Sequence, residues 1–282
     1  AIAGTDAGLL SVNASGVVTL TADPDYETKS SYSFTVTATD AAGTSAATTV
    51  TFAITDVDDT APLVSSVTAT TVDGSYTTGS NIDVQVIFSE VVTVTGTPQI
   101  ILETGTDDRT ASYVPGGSGY AHVFRYTVQS GDESSDLDYT STTSLALNAG
   151  SIQDAAGNNA NLTLPSPGAA NSLSNNKAIV IDAVAPTITS SVAGIDKAEN
   201  SGAGQTIYTI TASDNVGATS FAIAGDDAAL LSVNAGTGAV SLTADPNYET
   251  KSSYEFTVTA SDALSNTSAA TTVTFAITNV DE

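Results

Sequence analysis

The stretch DPDYETKSSYSFTVTATDAAG, from Asp23 to Gly43, returns as DPNYETKSSYEFTVTASDALS from Asp245 to Ser265. The match runs on at both ends. AIAGTDAGLLSVN (Ala1–Asn13) is echoed by AIAGDDAALLSVN (Ala222–Asn234), and TTVTFAIT occurs at Thr48–Thr55 and Thr271–Thr278. Residues 1–59 therefore repeat residues 222–282, with one-residue slips in two turns. Self-similarity at this period marks a tandem array of like modules and excludes a single unrepeated fold.

The repeated stretch also says what each module is made of. In SYSFTVTATD, Tyr32, Phe34, Val36 and Ala38 fall on one face, and Ser31, Ser33, Thr35 and Thr37 on the other. That is the period of two of a half-buried strand. TTVTFAITDV alternates through Val50, Phe52 and Ile54. Turn signals such as NASG, DAAG and NAGTG separate the strands. No stretch carries apolar residues at helical spacing, and no apolar run approaches a membrane span. The predicted class is all-β: tandem β-sandwich modules of about 100 residues, set end to end.

Three modules are expected. Residues 186–282 close a complete sandwich, because Pro186–Ser220 adds about three strands ahead of the last copy. The first copy begins where the last is already about 35 residues in. Residues 1–59 are accordingly expected to be a piece of a longer chain, without the first two strands. Their open sheet edge would be disordered, or completed by strand addition or swapping. Residues 60–185 are a third module, with alternation in NIDVQVIFSE and HVFRYTVQ and bounded by TAP and VAP. The N-terminus has no basic leader and does not read as a signal peptide.

Charge narrows the partners. Against 31 acidic side chains there are 6 basic ones, for a net charge of -25. Nucleic acid and anionic membrane surfaces need Lys and Arg, so both are excluded as partners. The acidity fits high-salt solubility or, more sharply, retention of divalent cations. No cysteine is present, so neither disulfides nor thiolate sites stabilise the modules.

The acids sit in telling places. Asp40, Asp154, Asp214, Asp262 and Glu90 each end a strand. Asp56, Asp58 and Asp59 lie in the linker ITDVDDTAP, Asp182 in VIDAVAP, and Asn279 and Asp281 in ITNVDE. Strand-end acids of one module and linker acids of the previous one would converge at a junction. Calcium takes six to eight oxygens, more than one linker can supply. A cation there would bridge two modules and remove their hinge freedom.

These motifs resemble cadherin repeats in the first and last modules. DYE (Asp25–Glu27) and NYE (Asn247–Glu249) are similar to the family's acidic tripeptide, AEN (Ala198–Asn200) to its glutamate motif, and TATD and TASD to its alanine-x-aspartate motif. DVDDTAP resembles its linker, with Asp58 and Thr60 where the family has Asn. The middle module resembles bacterial immunoglobulin-like repeats through FSEVVTVTGTPQI, FRYTVQSGDESSD and IQDAAGN. Both repeat types are common in large bacterial surface adhesins, including those of repeats-in-toxin type. The resemblance implies several calcium ions in three zones. The first takes Glu27, Asp56, Asp58, Asp59, Glu90 and Asp154. The second takes Asp182, Asp214 and Asp262, with additions from Asp73, Asp132, Glu133 and Asp136. The third takes Glu199, Glu249, Asn279 and Asp281.

The rest of the sequence adds little chemistry. His122 is the lone histidine and is in phase with Phe124 and Tyr126, as a structural side chain would be. GGSGYAH reads as hairpin glycines, and PSPGAANSLSNN as a plain or disordered connection that could also be a binding loop. Arg109 and Arg125 are expected to pair with nearby acids. No catalytic constellation is recognisable, so no enzyme is expected. The leading reading is a calcium-rigidified extender of an extracellular, cell-surface bacterial adhesin, whose partners are neighbouring repeats of its own chain. The alternative is a module that binds carbohydrate or peptide through the middle domain or its loops. Against it stands the absence of Trp, the flat aromatic that sugar platforms usually expose.

Overall fold

In the computed structural model, which describes residues 1–116, 119–218 and 220–281, the alternating stretches become strands and the turn signals become the connections between them. Every sheet is antiparallel except for two short parallel pairings and a few isolated bridges, and the chain is all-β apart from single helical turns. It divides into two compact units. One comprises residues 1–60 with 156–158, and the other residues 61–155 and 159–282.

The first unit has a sheet of Ile2–Ala3, Ser31–Val36 and Thr48–Ala53, with a second hairpin of Leu10–Val12 and Val18–Leu20. The register sets Tyr32 opposite Phe52. Their rings stack at 5.0 Å, and Phe34 meets Phe52 edge-on at 6.5 Å. Below them Lys29 pairs with Asp6 at 2.9 Å and lies 5.2 Å over the Tyr32 ring. The Lys29 bond and the Ser33 N–H hold the Asp6 carboxyl below its usual range. Gly4 makes the turn before this clamp with φ of +102°, a conformation suited to glycine.

The second unit holds two separate hydrophobic cores. The first is wrapped by the long strand Asn81–Thr95, which pairs with Val64–Ala69, Gly119–Thr127 and Ser151–Gln153. A smaller sheet of Glu133–Ser134, Ile179–Asp182 and Gly74–Tyr76 closes it. Phe88, Phe124, Tyr126 and Tyr139 fill the space between. His122 is buried among them, its Nε2 3.2 Å from the Gly119 carbonyl and its ring beside Phe88 and Tyr113. It is structural, as its phase predicts. Gly117 and Ser118 of GGSGYAH lie outside the described residues.

The polar stretch 165–176 is an anchored connection rather than a disordered one. Tyr139 Oη donates to the Pro165 carbonyl at 2.6 Å, and Asp138 accepts from Gly168 N and Ser174 Oγ. Ser172 caps the short helix Leu173–Asn176, and Asn176 donates to the Val67 carbonyl. Leu173 is fully buried, and burying it makes order favourable.

The second core belongs to the last copy. Its sheet runs Lys197–Ala198, Thr271–Thr278, Ser253–Ser261, Ser220–Ala224, and the facing sheet Thr206–Thr209, Ala239–Leu242, Leu231–Val233. The first-copy aromatics and clamp recur in detail: Tyr254 on Phe275 at 4.8 Å, and Lys251 to Asp227 at 2.9 Å. Burial, however, differs. Val240, Val258, Ala260 and Val273 are fully enclosed and Phe275 is 4% exposed. Their first-copy equivalents Val18, Val36, Val50 and Phe52 are only half-buried, and Ala38 is exposed.

This difference predicts unequal costs for the same truncation. Phe275→Ala should destabilise the last copy by about 3–5 kcal/mol. Phe52→Ala should cost the first copy about 1–2 kcal/mol, because less area leaves water when Phe52 packs. Hydrogen exchange of the Ser253–Ser261 and Ser31–Val36 amides under mild denaturant reads each separately. Equal losses would contradict the burial difference.

Candidate metal centre

Carboxylates rarely leave water, because desolvation penalises the charged form. In the second unit Asp132, Asp154, Asp182, Glu199 and Asp262 have done so; Asp182 is 1% exposed and Asp262 4%. Asp214 is half-buried. Asp182 ends the strand Ile179–Asp182, whose pairing with Glu133–Ser134 fixes its position. Asp214 follows the short strand Ala212–Ser213, and Asp262 follows Ser253–Ser261. Three strand ends thus meet where the smaller sheet of the first core abuts the last copy.

The oxygens there are unevenly satisfied. Asp262 Oδ1 accepts from Leu264 N and Asn266 N, and its Oδ2 from Asn266 Nδ2 at 2.7 Å. Asp214 Oδ2 accepts from Val216 N at 3.1 Å, and Asp182 Oδ1 accepts a long 3.4 Å contact from Val184 N. Asp182 Oδ2 and Asp214 Oδ1 are buried with no hydrogen-bond partner. Burial pushes the Asp182 carboxyl above its usual range. The Val184 N–H and the Asn215 amide pull it back, while the negative Asp262 and Asp214 add to the push. An orphaned, buried carboxylate oxygen within electrostatic reach of two further carboxylates is the kind of group that a nearby positive charge would relieve.

Two asparagines that the sequence gives no reason to single out tie this place together. Asn266 Nδ2 donates to the Asp182 carbonyl at 3.0 Å as well as to Asp262, and its Oδ1 accepts from Thr77 Oγ1 at 2.6 Å. Asn215 Nδ2 donates to Glu133 Oε2 at 3.0 Å. Asn266 stands at one of the one-residue slips between the copies, where the last has Ser265–Asn266 and the first has Gly43.

The additional acids assigned to this zone mostly do other work. Asp132 is buried and accepts from Arg109 Nε, Tyr126 Oη and Gln129 N. With those bonds its carboxylate is committed to the fold. Asp73 pairs with Lys177 at 3.5 Å. Asp136 is raised above its usual range by burial, against the Ile179 N–H and with the charges of Asp138 and Asp73. Arg125 pairs with Asp83 at 2.6 Å.

Other predicted ligands are placed as follows. Glu90 and Asp154, from the long strand and the end of its neighbour Ser151–Gln153, bring carboxylate oxygens within 4.8 Å of one another. In the first unit the backbone N–H of Glu27 favours its charged form, but burial and the charges of Asp59 and Asp56 prevail and raise it. Asp58 is exposed, and its Oδ1 accepts from Thr60 N. At the end of the last copy Glu199 is 2% exposed. Its oxygens accept from Val280 N and Tyr248 N, which hold it below its usual range, with the Glu249 side chain nearby. Asp281 is exposed.

A family model for the bacterial Ig domain matches residues 1–53. That match covers about a fifth of this all-β, internally repeated chain. The Ig match lies on the copy whose motifs resemble cadherin, whereas the sequence resemblance to bacterial immunoglobulin-like repeats is carried by the middle module. Among solved structures, a protocadherin gammaB7 EC3-6 cis-dimer is 15% identical over 100% of this chain and 66% of that one, with a TM-score of 0.42. Protocadherin gamma B2 extracellular cadherin domains 1–5 are 18% identical over 98% and 51%, with a TM-score of 0.38. The third cadherin domain of human protocadherin 7 is 27% identical over 34% and 87%, with a TM-score of 0.29. This chain therefore spans between half and two thirds of the two protocadherin gamma chains. No curated protein matches it.

Asp182→Asn tests the electrostatics. Without metal, the folded chain holds the Asp182 proton more tightly than the unfolded chain does. That contribution is fully present below the ordinary value of 3.8 and is lost as pH rises through the raised one. The amide cannot ionise, so in chelator the variant should melt no lower than wild type at pH 7 and lose less stability between pH 4 and 7. Thermal melts across that range check it. A lower melting point in chelator would show that the charge is already well compensated.

Proposed function

We propose that this chain is a calcium-rigidified extender segment of a bacterial cell-surface adhesin, holding a distal binding domain away from the cell. The observation that carries the reading is the pair of orphaned, buried oxygens, Asp182 Oδ2 and Asp214 Oδ1, beside Asp262. These three side chains are the proposed ligands of one calcium zone. A cation there supplies positive charge that lets three carboxylates stay ionised together, and it couples the strand ends that bear them. Asn266 adds a metal-independent tie.

Sequence position supports the other two zones. Glu27, Asp56, Asp58 and Asp59 before Pro62, and Glu90 and Asp154 after it, are assigned to the first. Glu199, Glu249 and Asp281 are assigned to the third. Modules 1–59, 60–185 and 186–282 are the proposed repeating units, and like repeats of a longer chain are their proposed neighbours. An extracellular setting fits Ig-like and cadherin-like repeats. No described helix is long and apolar enough to cross a membrane.

Calcium binding only the folded form stabilises it by about 2.7 kcal/mol at a hundred times its dissociation constant. Titrating calcium into chelator-stripped protein should raise the melting temperature. It should also make the amides on either side of Asp182 share one rotational correlation time in nitrogen-15 relaxation. Asp214→Asn together with Asp182→Asn should remove most of both effects. If calcium changes neither quantity in the wild type, the rigidifying role is wrong.

A further inference from the structure

Three asparagines stand two residues before a hydroxyl: Asn13-Ala14-Ser15, Asn161-Leu162-Thr163 and Asn266-Thr267-Ser268. That spacing is the acceptor pattern for N-linked sugar. The pattern alone arises often by chance, and the fold separates the three.

Asn161 bridges to Leu63, and its N–H donates to the Pro62 carbonyl at 2.8 Å. Leu162 packs half-buried against the first core and Leu164 is 2% exposed, so alternation turns Asn161 and Thr163 to solvent. Thr163 N donates to Asn161 Oδ1 at 3.0 Å. Asn13 stands at the head of the hairpin of Leu10–Val12 and Val18–Leu20. Its Oδ1 accepts from Ser15 N at 3.0 Å and Val17 N at 2.9 Å, and both Asn13 and Ser15 are exposed. In each place the carboxamide oxygen takes the N–H two residues on, which makes an Asx turn. The bond fixes the side chain and leaves Nδ2 as its free end. Among the described residues neither Nδ2 has a partner, and neither does Ser15 Oγ or Thr163 Oγ1.

Asn266 is the contrast. Its Nδ2 is committed to the Asp182 carbonyl at 3.0 Å and to Asp262 Oδ2 at 2.7 Å. Ser268 is 7% exposed, its Oγ accepts from Ala260 N, and its own N–H goes to the Ala260 carbonyl rather than back to Asn266. Asn234 of the last copy supplies a second contrast. It makes the same turn as Asn13, taking Gly236 N and Thr237 N at 3.0 Å, yet glycine stands two residues on. The turn thus needs the asparagine oxygen and not the hydroxyl, and Ser15 Oγ is left without a structural task.

We propose that Asn161 and Asn13 are acceptors for N-linked glycosylation and that the fold closes Asn266 to it. The donor is a glycosyl diphosphate, carried on a nucleoside or on a lipid, and the catalyst is a separate glycosyltransferase. A bond forms between the asparagine Nδ2 and the anomeric carbon as the bond from that carbon to the diphosphate oxygen breaks. The electron pair leaves with the diphosphate, and the proton lost from Nδ2 passes to a base of the transferase. The Asx turn holds the amide outward, and the unengaged hydroxyl is open to the transferase. Neither asparagine belongs to the proposed cation ligands, so the two readings stand or fall separately.

The test incubates the folded 282-residue chain in two arms. One supplies UDP-glucose and a soluble N-glycosyltransferase, the other a lipid-linked oligosaccharide and a membrane-bound oligosaccharyltransferase. Peptide mapping by mass spectrometry reads the occupancy of each asparagine. Sugar is expected on Asn161 and Asn13 in at least one arm, which identifies the carrier, with at least tenfold less on Asn266. Synthetic peptides of residues 9–19, 157–167 and 262–272 remove the fold, and in them all three asparagines should react at comparable rates. Thr163→Ala and Ser15→Ala should each abolish modification at their own site without moving the melting temperature, and Thr163→Ser should retain it. The proposal is overturned if Asn161 or Asn13 stays unmodified in both arms, or if Asn266 of the folded chain reacts as fast as they do. It is overturned equally if Asn266 fails in its peptide, since sequence rather than fold would then exclude it, or if Thr163→Ala lowers the melting temperature, which would give the hydroxyl a structural task.

Discussion

Desolvated negative charge is the constraint around which the second unit is arranged. Asp182 lies out of water beside Asp214 and Asp262, and two of the oxygens involved have no donor. Such a group is costly in proportion to how completely it is enclosed. The surrounding strands could exclude water from this place only by leaving that cost in the fold or by admitting a counter-charge. Asn266 softens the cost without removing it, since an amide offers partial dipoles and not a full charge. The arrangement therefore carries an electrostatic cost that a counter-charge would lower.

Much of the fold is legible because strand alternation is a local property. SYSFTVTA and TTVTFAIT each specify their own inner face, and the duplication shows that the same faces recur. What distant partners decide was not legible. Asp132 reads as one more acid in GDESSD, yet Arg109, Tyr126 and Gln129 close around it. Stretch 165–176 reads as polar and loose, yet Leu173 reaches the core and Tyr139 reaches back to Pro165.

The strand-end acids show the same limit. Asp40 and Asp262 stand in nearly identical motifs, TATD and TASD. Asp40 is exposed and merely closes its own turn through Ala42 N and Gly43 N. Asp262 is enclosed. The difference comes from what abuts each strand end and from one extra turn residue that presents Asn266. Alignment of the copies reveals that slip but not its consequence. Positional analogy therefore locates where cation ligands could be, while packing decides which of them are withdrawn from water.

Five of the six basic side chains are spent internally. Lys29, Lys177, Lys251, Arg109 and Arg125 all face a carboxylate of their own chain. What a neighbour meets from outside is an almost unrelieved anionic field, from a net charge of -25. Two such molecules repel before any surfaces touch, over the roughly 8 Å that physiological electrolyte leaves unscreened. Brine, or a layer of divalent ions such as seawater provides, lowers that barrier. Crowded copies would then approach only in media that quiet their fields, so the surroundings set how densely they can stand.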